Sequence, residues 1–228
     1  MMSNFFNFYS HPYNSNIAKG IYILDQYVRQ DICDGYIVSE PDYISTLISY
    51  IRLFLRSNQL VKNMYTFQSL DSKTLAKSSE QIFGCDALIL IRAGNRAKIC
   101  MFEAKFPRLK SNGSWDSYQK SSNKSHFHDQ LTRQHEWSSS ATIWELFIND
   151  YIPGYSLKGF DKYGSTCIWH QDAYKYSKDD IDNKPPFYIR ENRQSDLWDN
   201  DHLQECIKNL PDNSLNLEDI LNSVLLGK

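Results

Sequence analysis

Glu80-Gln-Ile-Phe-Gly84-Cys-Asp86-Ala-Leu-Ile-Leu-Ile-Arg-Ala-Gly94-Asn-Arg-Ala-Lys-Ile-Cys-Met-Phe-Glu103-Ala-Lys105 is the stretch on which the fold turns. Two apolar segments, 86–92 and 97–104, flank the turn-forming Ala93-Gly94-Asn95-Arg96 and predict a β-hairpin. Asp86 opens the first strand, and Glu103 and Lys105 sit late in the second. Side chains alternate along a strand, so Glu103 and Lys105 point to one side and Ala104 to the other. Ile99-Cys-Met-Phe102 is apolar on both faces, the pattern of a central strand covered by helices. Charges arriving at the end of such a strand are costly unless they are paired, liganded or solvated in a cleft.

Outward from the hairpin, helical patterns dominate the N-terminal side. Ile17, Ile21, Leu24, Val28 and Ile32 recur at helical spacing and stop near Asp34-Gly35. Ser39-Glu-Pro41-Asp42 reads as a second helix start, with Ile44, Leu47, Ile48, Ile51, Phe54 and Leu55 along one face. Tyr65-Thr-Phe67 alternates like a short strand, and 69–79 reads as a polar connector or short helix. After the hairpin, 107–125 is a Ser-, Asn-, Lys- and Gly-rich loop anchored by Trp115 and Tyr118. A third helix is predicted over 126–150, ended by Pro153-Gly154. Strands are expected at Thr166–Trp169 and Phe187–Ile189, and helices near 197–210 and 217–226. No repeat or linker interrupts this order, which predicts a single domain over 1–228, an α/β or α+β sheet with helices packed on it.

Composition narrows the function classes. The chain has 228 residues, enough for one well-cored domain, with 41% hydrophobic and 14% aromatic content. A net charge of −2 gives no global basic field, so a polyanion would meet a local patch. Residues 105–135 hold six Lys/Arg against two acids, the composition of such a patch and equally of a solvated loop, whereas 172–228 carries twelve acids against seven Lys/Arg. Five widely spaced cysteines without a Cys-x-x-Cys pair fit reduced thiols and a cytoplasmic setting. The N-terminus lacks a basic n-region, and the longest apolar run, 44–55, is broken by Ser45, Thr46, Ser49 and Arg52 and is too short to span a bilayer. No Gly-rich phosphate loop or Gly-x-Ser-x-Gly elbow is present, which argues against an NTPase or a serine hydrolase. His126, His128 and His135 are too few and too dispersed for a structural zinc site.

The remaining chemistry is that of a hard cation. Mg²⁺ takes oxygen ligands and keeps several waters, so Asp86 and Glu103 beside a substrate phosphate suffice, with the Ala104 carbonyl as a third oxygen. Lys105 reaches the same place, where it can hold an attacking water and offset developing negative charge.

These residues resemble the restriction-endonuclease-like phosphodiesterases, the PD-(D/E)XK nuclease superfamily. The match is Asp86, a separation of seventeen residues in number, then Glu103-Ala104-Lys105; Cys85 stands where the motif's proline would be. The resemblance implies an αβββαβ core over about residues 40–170, with extra N- and C-terminal helices, the last in an acidic extension over 172–228. It also implies Mg²⁺ or Mn²⁺ as cofactor, with Asp86, Glu103 and Ala104 as metal ligands. Asp86, Glu103 and Lys105 would be catalytic, joined by Glu80 as a helix-borne acid before the Gly-x-Asp turn. Gln130, with Gln134 one turn later, matches a glutamine often found on the helix after the lysine strand. The implied activity is nucleic-acid cleavage, DNA ahead of RNA, in restriction or anti-phage defence, on a fold that admits a homodimer. Arg108, Lys110, Lys120, Lys124 and Arg133 form the expected nucleic-acid-binding tract. The alternative, motivated by weak overall basicity, is a non-catalytic nucleic-acid- or protein-binding module on the same fold, a subunit of a larger complex.

Overall fold

The computed structural model describes residues 11–57, 69–93, 96–106, 118–119, 124–148, 165–175 and 215–226. The expected strands at 65–67 and 187–189, the helix near 197–210, and Arg108, Lys110 and Lys120 lie outside these residues.

Two helices open the chain, α1 (His11–Cys33) and α2 (Glu40–Ser57). Helix α1 stops where Gly35 adopts φ +81° and its N–H donates to the Ile32 carbonyl at 3.1 Å, the left-handed exit that glycine permits. Ser39 caps α2, its Oγ accepting from the Asp42 N–H at 3.4 Å, while Glu40 and Asp42 place negative charge on the N-terminal end of the helix dipole. Strands β1 (Ser69–Thr74), β2 (Ala87–Ala93) and β3 (Arg96–Lys105) follow, with the short helix α3 (Lys77–Phe83) between the first two. The two-residue strands β4 (Tyr118–Gln119) and β5 (Lys124–Ser125) make a separate ribbon leading into α4 (His126–Trp137). Strands β6 (Thr142–Phe147) and β7 (Thr166–Trp169), the single-turn helix α5 (170–175), β8 (Leu215–Asn216) and α6 (Leu217–Leu226) complete the described chain.

The main sheet is mixed and open, in the order β1-β2-β3-β6-β7-β8. Strands β1, β2 and β3 form an antiparallel meander, and the hairpin pairs Ala87 with Phe102 and Ala93 with Arg96. Strand β6 runs parallel to β3, pairing Glu103 with Glu145 and Lys105 with Phe147, so α4 is the crossover between them. Strands β7 and β8 return antiparallel.

The sheet has two covered faces. On one, Ile89, Ile91, Phe102, Ala104, Trp144 and Leu146 meet the apolar stripes of α1, α2 and α6 in a single core. Phe102 stacks on Trp144 with ring centroids 5.4 Å apart across the parallel β3–β6 pair. Helix α6 belongs to this core through Leu217, Ile220, Leu221 and Val224, and Lys98 donates to the Val224 carbonyl at 3.0 Å near its C-terminal end. The packed core therefore extends past 40–170 on both sides, taking in α1 and the last turns of the expected acidic extension. On the other face, Leu75, Cys85, Met101 and Ile143 pack with Phe83 of α3 and Trp137 of α4.

Two local expectations are corrected. Residues 69–79 are neither connector nor helix throughout: Ser69–Thr74 adds an edge strand to β2, and its Ser72 hydroxyl donates to the Ile48 carbonyl of α2 at 3.3 Å. The helix expected over 126–150 ends at Trp137. Ser138-Ser-Ser140 competes for the last carbonyls, with Ser138 Oγ donating to the His135 carbonyl at 2.9 Å. Beyond it, Thr142-Ile-Trp-Glu-Leu-Phe147 is β-branched and aromatic, and it fills the sheet position beside β3. A continuous apolar run has no period that separates a buried strand from a helix, and parallel pairing to β3 decides the outcome.

Candidate metal centre

The hairpin ends unevenly, and that unevenness makes the site. Strand β2 begins at Ala87, paired with Phe102, so β3 runs three residues further with no β2 backbone beside it. Side chains take over that edge. The Ala104 N–H donates to Asp86 Oδ2 at 2.7 Å, and the Phe106 N–H donates to Glu40 Oε2 at 3.0 Å. The N–H and C=O of one strand residue point to the same edge, so the Ala104 carbonyl opens toward Asp86 and Glu40, as a ligand role requires. Strand β6 occupies the opposite edge, where the Ile148 N–H reaches the Lys105 carbonyl at 3.0 Å.

Asp86 is held from both sides. Its N–H donates to the Phe102 carbonyl at 3.0 Å, and its carbonyl accepts from the Leu75 N–H at 2.7 Å. Gly84 precedes it with φ +67°, its N–H donating to the Glu80 carbonyl at 2.8 Å to close α3. A Cβ here would lie 2.6 Å from the Gln130 carbonyl oxygen, so both the backbone conformation and the close approach of α4 require glycine.

Glu103 and Lys105 point to the α4 side. Lys105 Nζ donates to Glu103 Oε1 at 2.5 Å and to Gln130 Oε1 at 2.7 Å, and Gln130 Nε2 donates back to Glu103 Oε1. The ammonium also lies 5.1 Å from the centroid of the Phe127 ring. Glu103 Oε2 is buried and has no hydrogen-bond partner among the described residues. A buried acceptor left bare is an expense that native structures avoid unless something else occupies the position.

Glu40, Asp86 and Glu103 each offer a carboxylate oxygen, and the three oxygens lie within 4.8 Å of one another. Ligand oxygens on opposite sides of one cation are separated by about 4.2 Å for Mg²⁺ and about 5 Å for Ca²⁺. The donors are all hard oxygens, and the bare Glu103 Oε2 supplies the acceptor a cation would satisfy. The residues therefore fit a divalent ion. Glu40 is the acid that the sequence reading missed. It stands at the start of α2, remote in sequence, and nothing in the pattern Ser39-Glu-Pro-Asp42 separates a ligand from a helix-capping acid. Glu80, the acid expected to help, is not one of the three. It lies in the first turn of α3, and its backbone carbonyl caps Gly84.

The electrostatics follow from burial and like charge. Burial first, then Glu40, pushes the Asp86 carboxyl up from 3.8 to about 7. Burial and then Asp86 raise Glu103 well above the ordinary carboxylate range. Burial alone would lower Lys105, but Glu103, Glu40 and Asp86 outweigh it and raise its pKa. Lys105 is thus an ammonium at every physiological pH, a donor and not a proton acceptor.

One pH effect has a definite sign. A carboxyl raised in the folded state keeps a proton that the unfolded chain has released, so its contribution to stability is complete below about 4 and is lost as pH rises through about 7. A divalent cation held by these carboxylates would displace that proton. Thermal melts with and without millimolar Mn²⁺ are expected to show a larger metal-induced rise in Tm at about pH 8 than at about pH 5. An equal rise at both pH values would remove the carboxylates as the ligands.

Of the expected nucleic-acid contacts, Lys124 lies on β5, at the entrance to α4. Arg133 lies on α4 against the Gly84 turn, where its Cβ would be 3.3 Å from a Gly84 Cβ; its Nε is buried with no hydrogen bond to any described residue. Among the described residues, no helix is long and apolar enough to cross a membrane. No family model matches the chain, and no curated protein matches it in sequence.

Proposed function

We propose that the chain is a divalent-metal-dependent nuclease with a restriction-endonuclease-like core, acting on phosphodiester bonds of DNA. The observation that carries this reading is the meeting of Glu40, Asp86 and Glu103 beside the Lys105 ammonium at the end of β3. The element run α2-β1-α3-β2-β3-α4-β6, with the β4–β5 ribbon ahead of α4 and with β3 and β6 parallel, is compatible with an αβββαβ core to which α3 and the ribbon are additions. Glu40, Asp86, Glu103 and the Ala104 carbonyl would hold Mg²⁺ or Mn²⁺. When bound, such an ion polarises the phosphoryl group and acidifies a bound water. Lys105 would donate toward the phosphoryl oxygens, where negative charge builds as a water oxygen bonds to phosphorus and the bridging P–O bond breaks, the attacking water's proton passing to solvent and the leaving oxygen taking one up from it. Gln130 keeps Lys105 and Glu103 in one arrangement through its two amide atoms. Arg108, Lys110, Lys120 and Lys124 would supply phosphate contacts along the strand. Buried thiols at Cys85, Cys100 and Cys167, none in a disulfide, fit a reducing compartment such as the cytoplasm.

The test is incubation of the purified protein with supercoiled plasmid, single-stranded DNA and RNA in Mg²⁺ or Mn²⁺, beside Glu103→Gln. Metal-dependent cleavage that chelation stops, and that the variant lowers by about 10²–10⁴-fold, is the expected result. Equal cleavage by both proteins, or nucleic-acid binding with no metal-dependent cleavage, would replace the enzyme with a binding module on the same fold.

A further inference from the structure

One turn after Gln130, α4 presents a second glutamine to a second buried cluster. Gln134 is fully buried, and so are Glu145 of β6 and His170 at the start of α5. Gln134 Nε2 donates to the Gly84 carbonyl at 2.6 Å and to Glu145 Oε2 at 3.3 Å. Gln134 Oε1 lies 2.9 Å from His170 Nδ1, which is also 3.2 Å from Glu145 Oε1.

The hydrogen-bond roles are fixed by exclusion. The Gly84 carbonyl and the Glu145 carboxylate only accept, so the Gln134 nitrogen must face them. Its oxygen then faces His170, and Nδ1 sees two acceptors, so Nδ1 carries the proton. Turning the amide over would set its oxygen against two acceptors. The imidazole and the carboxylate therefore hold Gln134 in a single orientation, with its N–H directed at Gly84.

The target of that N–H is what gives the cluster a role. Gly84 is two residues from Asp86 and ends α3 in the left-handed conformation, with α4 so close that a Cβ would strike Gln130. Glu145 is the register partner of Glu103, so the cluster sits beside the metal centre on the same side of the sheet. One face of α4 thus serves both ligands. Gln130 sets Glu103 and Lys105, and Gln134 sets the turn that carries Asp86. An apolar layer here would complete the neighbouring packing of Met101, Ile143 and Trp137 without burying a carboxylate.

We propose that Gln134, oriented by His170 and Glu145, is a positioning residue that fixes the Gly84–Asp86 turn and through it the affinity of the site for divalent metal. This rests on the metal reading of Glu40, Asp86 and Glu103. Partners of this kind, which touch the ligand's support and not the ion, typically change metal affinity by about 10–100-fold.

The experiment is calorimetric titration of the full chain with Mn²⁺ alone, paired with thermal melts, for the native protein, Gln134→Met, His170→Phe and His170→Asn. Asparagine keeps a side-chain N–H donor near the position of Nδ1, whereas phenylalanine removes it. The expected result is about 10-fold weaker Mn²⁺ binding in Gln134→Met and His170→Phe, with His170→Asn near the native value. Lower Tm with native Mn²⁺ affinity in His170→Phe, or in Gln134→Met, would make the cluster structural only and overturn the inference. His170→Phe is readable even where Gln134→Met does not fold. Failure of the native protein itself to bind Mn²⁺ would overturn the metal reading and the inference together.

Discussion

Asp86→Asn is expected to abolish divalent-metal binding and cleavage while making the metal-free protein more stable. The two effects have one cause. Burial and the neighbouring Glu40 push the Asp86 carboxyl up to about 7, so above neutrality its charge is held against both desolvation and like charge. Asparagine keeps an oxygen able to accept from the Ala104 N–H, the bond that fixes this side chain on the β3 edge. It removes the charge, and with it the repulsion toward Glu40 and Glu103. At about pH 8 the gain is about 1–3 kcal/mol, and a chain of this size converts that into a Tm rise of about 2–10 °C. The gain should vanish at about pH 4, where the aspartate is protonated as well. Calorimetry with Mn²⁺ and melts at both pH values read the two effects together. A variant that melts lower yet binds Mn²⁺ normally would make Asp86 a structural turn residue.

That opposition between stability and ligand capacity also marks which parts of the molecule can be read from sequence. The hairpin was legible because Gly94-Asn95 punctuates two apolar runs, and its strands were placed within a residue or so of Ala87–Ala93 and Arg96–Lys105. Helices α1 and α2 were legible from their apolar spacing and from Gly35 and Ser39 at their ends. Glu103 and Lys105 stood out because charge closes an otherwise apolar strand. Strand β6 was hidden because a buried parallel strand has no alternation, and the preceding helix supplied a ready continuation. Its Glu145, an acid inside Ile-Trp-Glu-Leu-Phe, was the available signal: a charge in an apolar run needs a buried partner whichever element holds it. Glu40 and His170 left no such signal. Each sits at a helix start, where acids and polar residues are ordinary, and only contacts across the fold bring them in, Glu40 with the Phe106 N–H after β3 and His170 with Glu145 of β6. Sequence pattern reports the period of an element and the cost of an isolated charge, whereas convergence between distant elements is decided by topology.

Removing the Lys105 ammonium is expected to separate chemistry from metal binding. Lys105 lies between Glu103 and Gln130, and the surrounding carboxylates keep it protonated, so its role is to donate and to offset charge, not to accept a proton. Lys105→Ala leaves three carboxylates without their cation, so Mn²⁺ should bind at least as tightly as in the native protein. Cleavage should fall by about 10²–10⁴-fold, because charge growing on the phosphoryl oxygens loses its fixed donor. Arginine would not restore it: a planar guanidinium presents its donors in a different geometry from the ammonium that meets Glu103 and Gln130. The metal-free variant should also be less stable, since Glu103 keeps only Gln130 as a donor; breaking a buried pair by removing one partner costs about 3–5 kcal/mol. That loss should shrink toward acid pH, because Glu103 is already raised above the ordinary carboxylate range and takes up a proton as its counter-charge disappears. Titration of Mn²⁺, cleavage rates and melts at about pH 5 and about pH 8 give the three readouts. Loss of Mn²⁺ binding in parallel with cleavage would show that Lys105 holds the carboxylates in place and takes no part in the reaction. Retained binding with a collapsed rate would place its ammonium at the phosphoryl group.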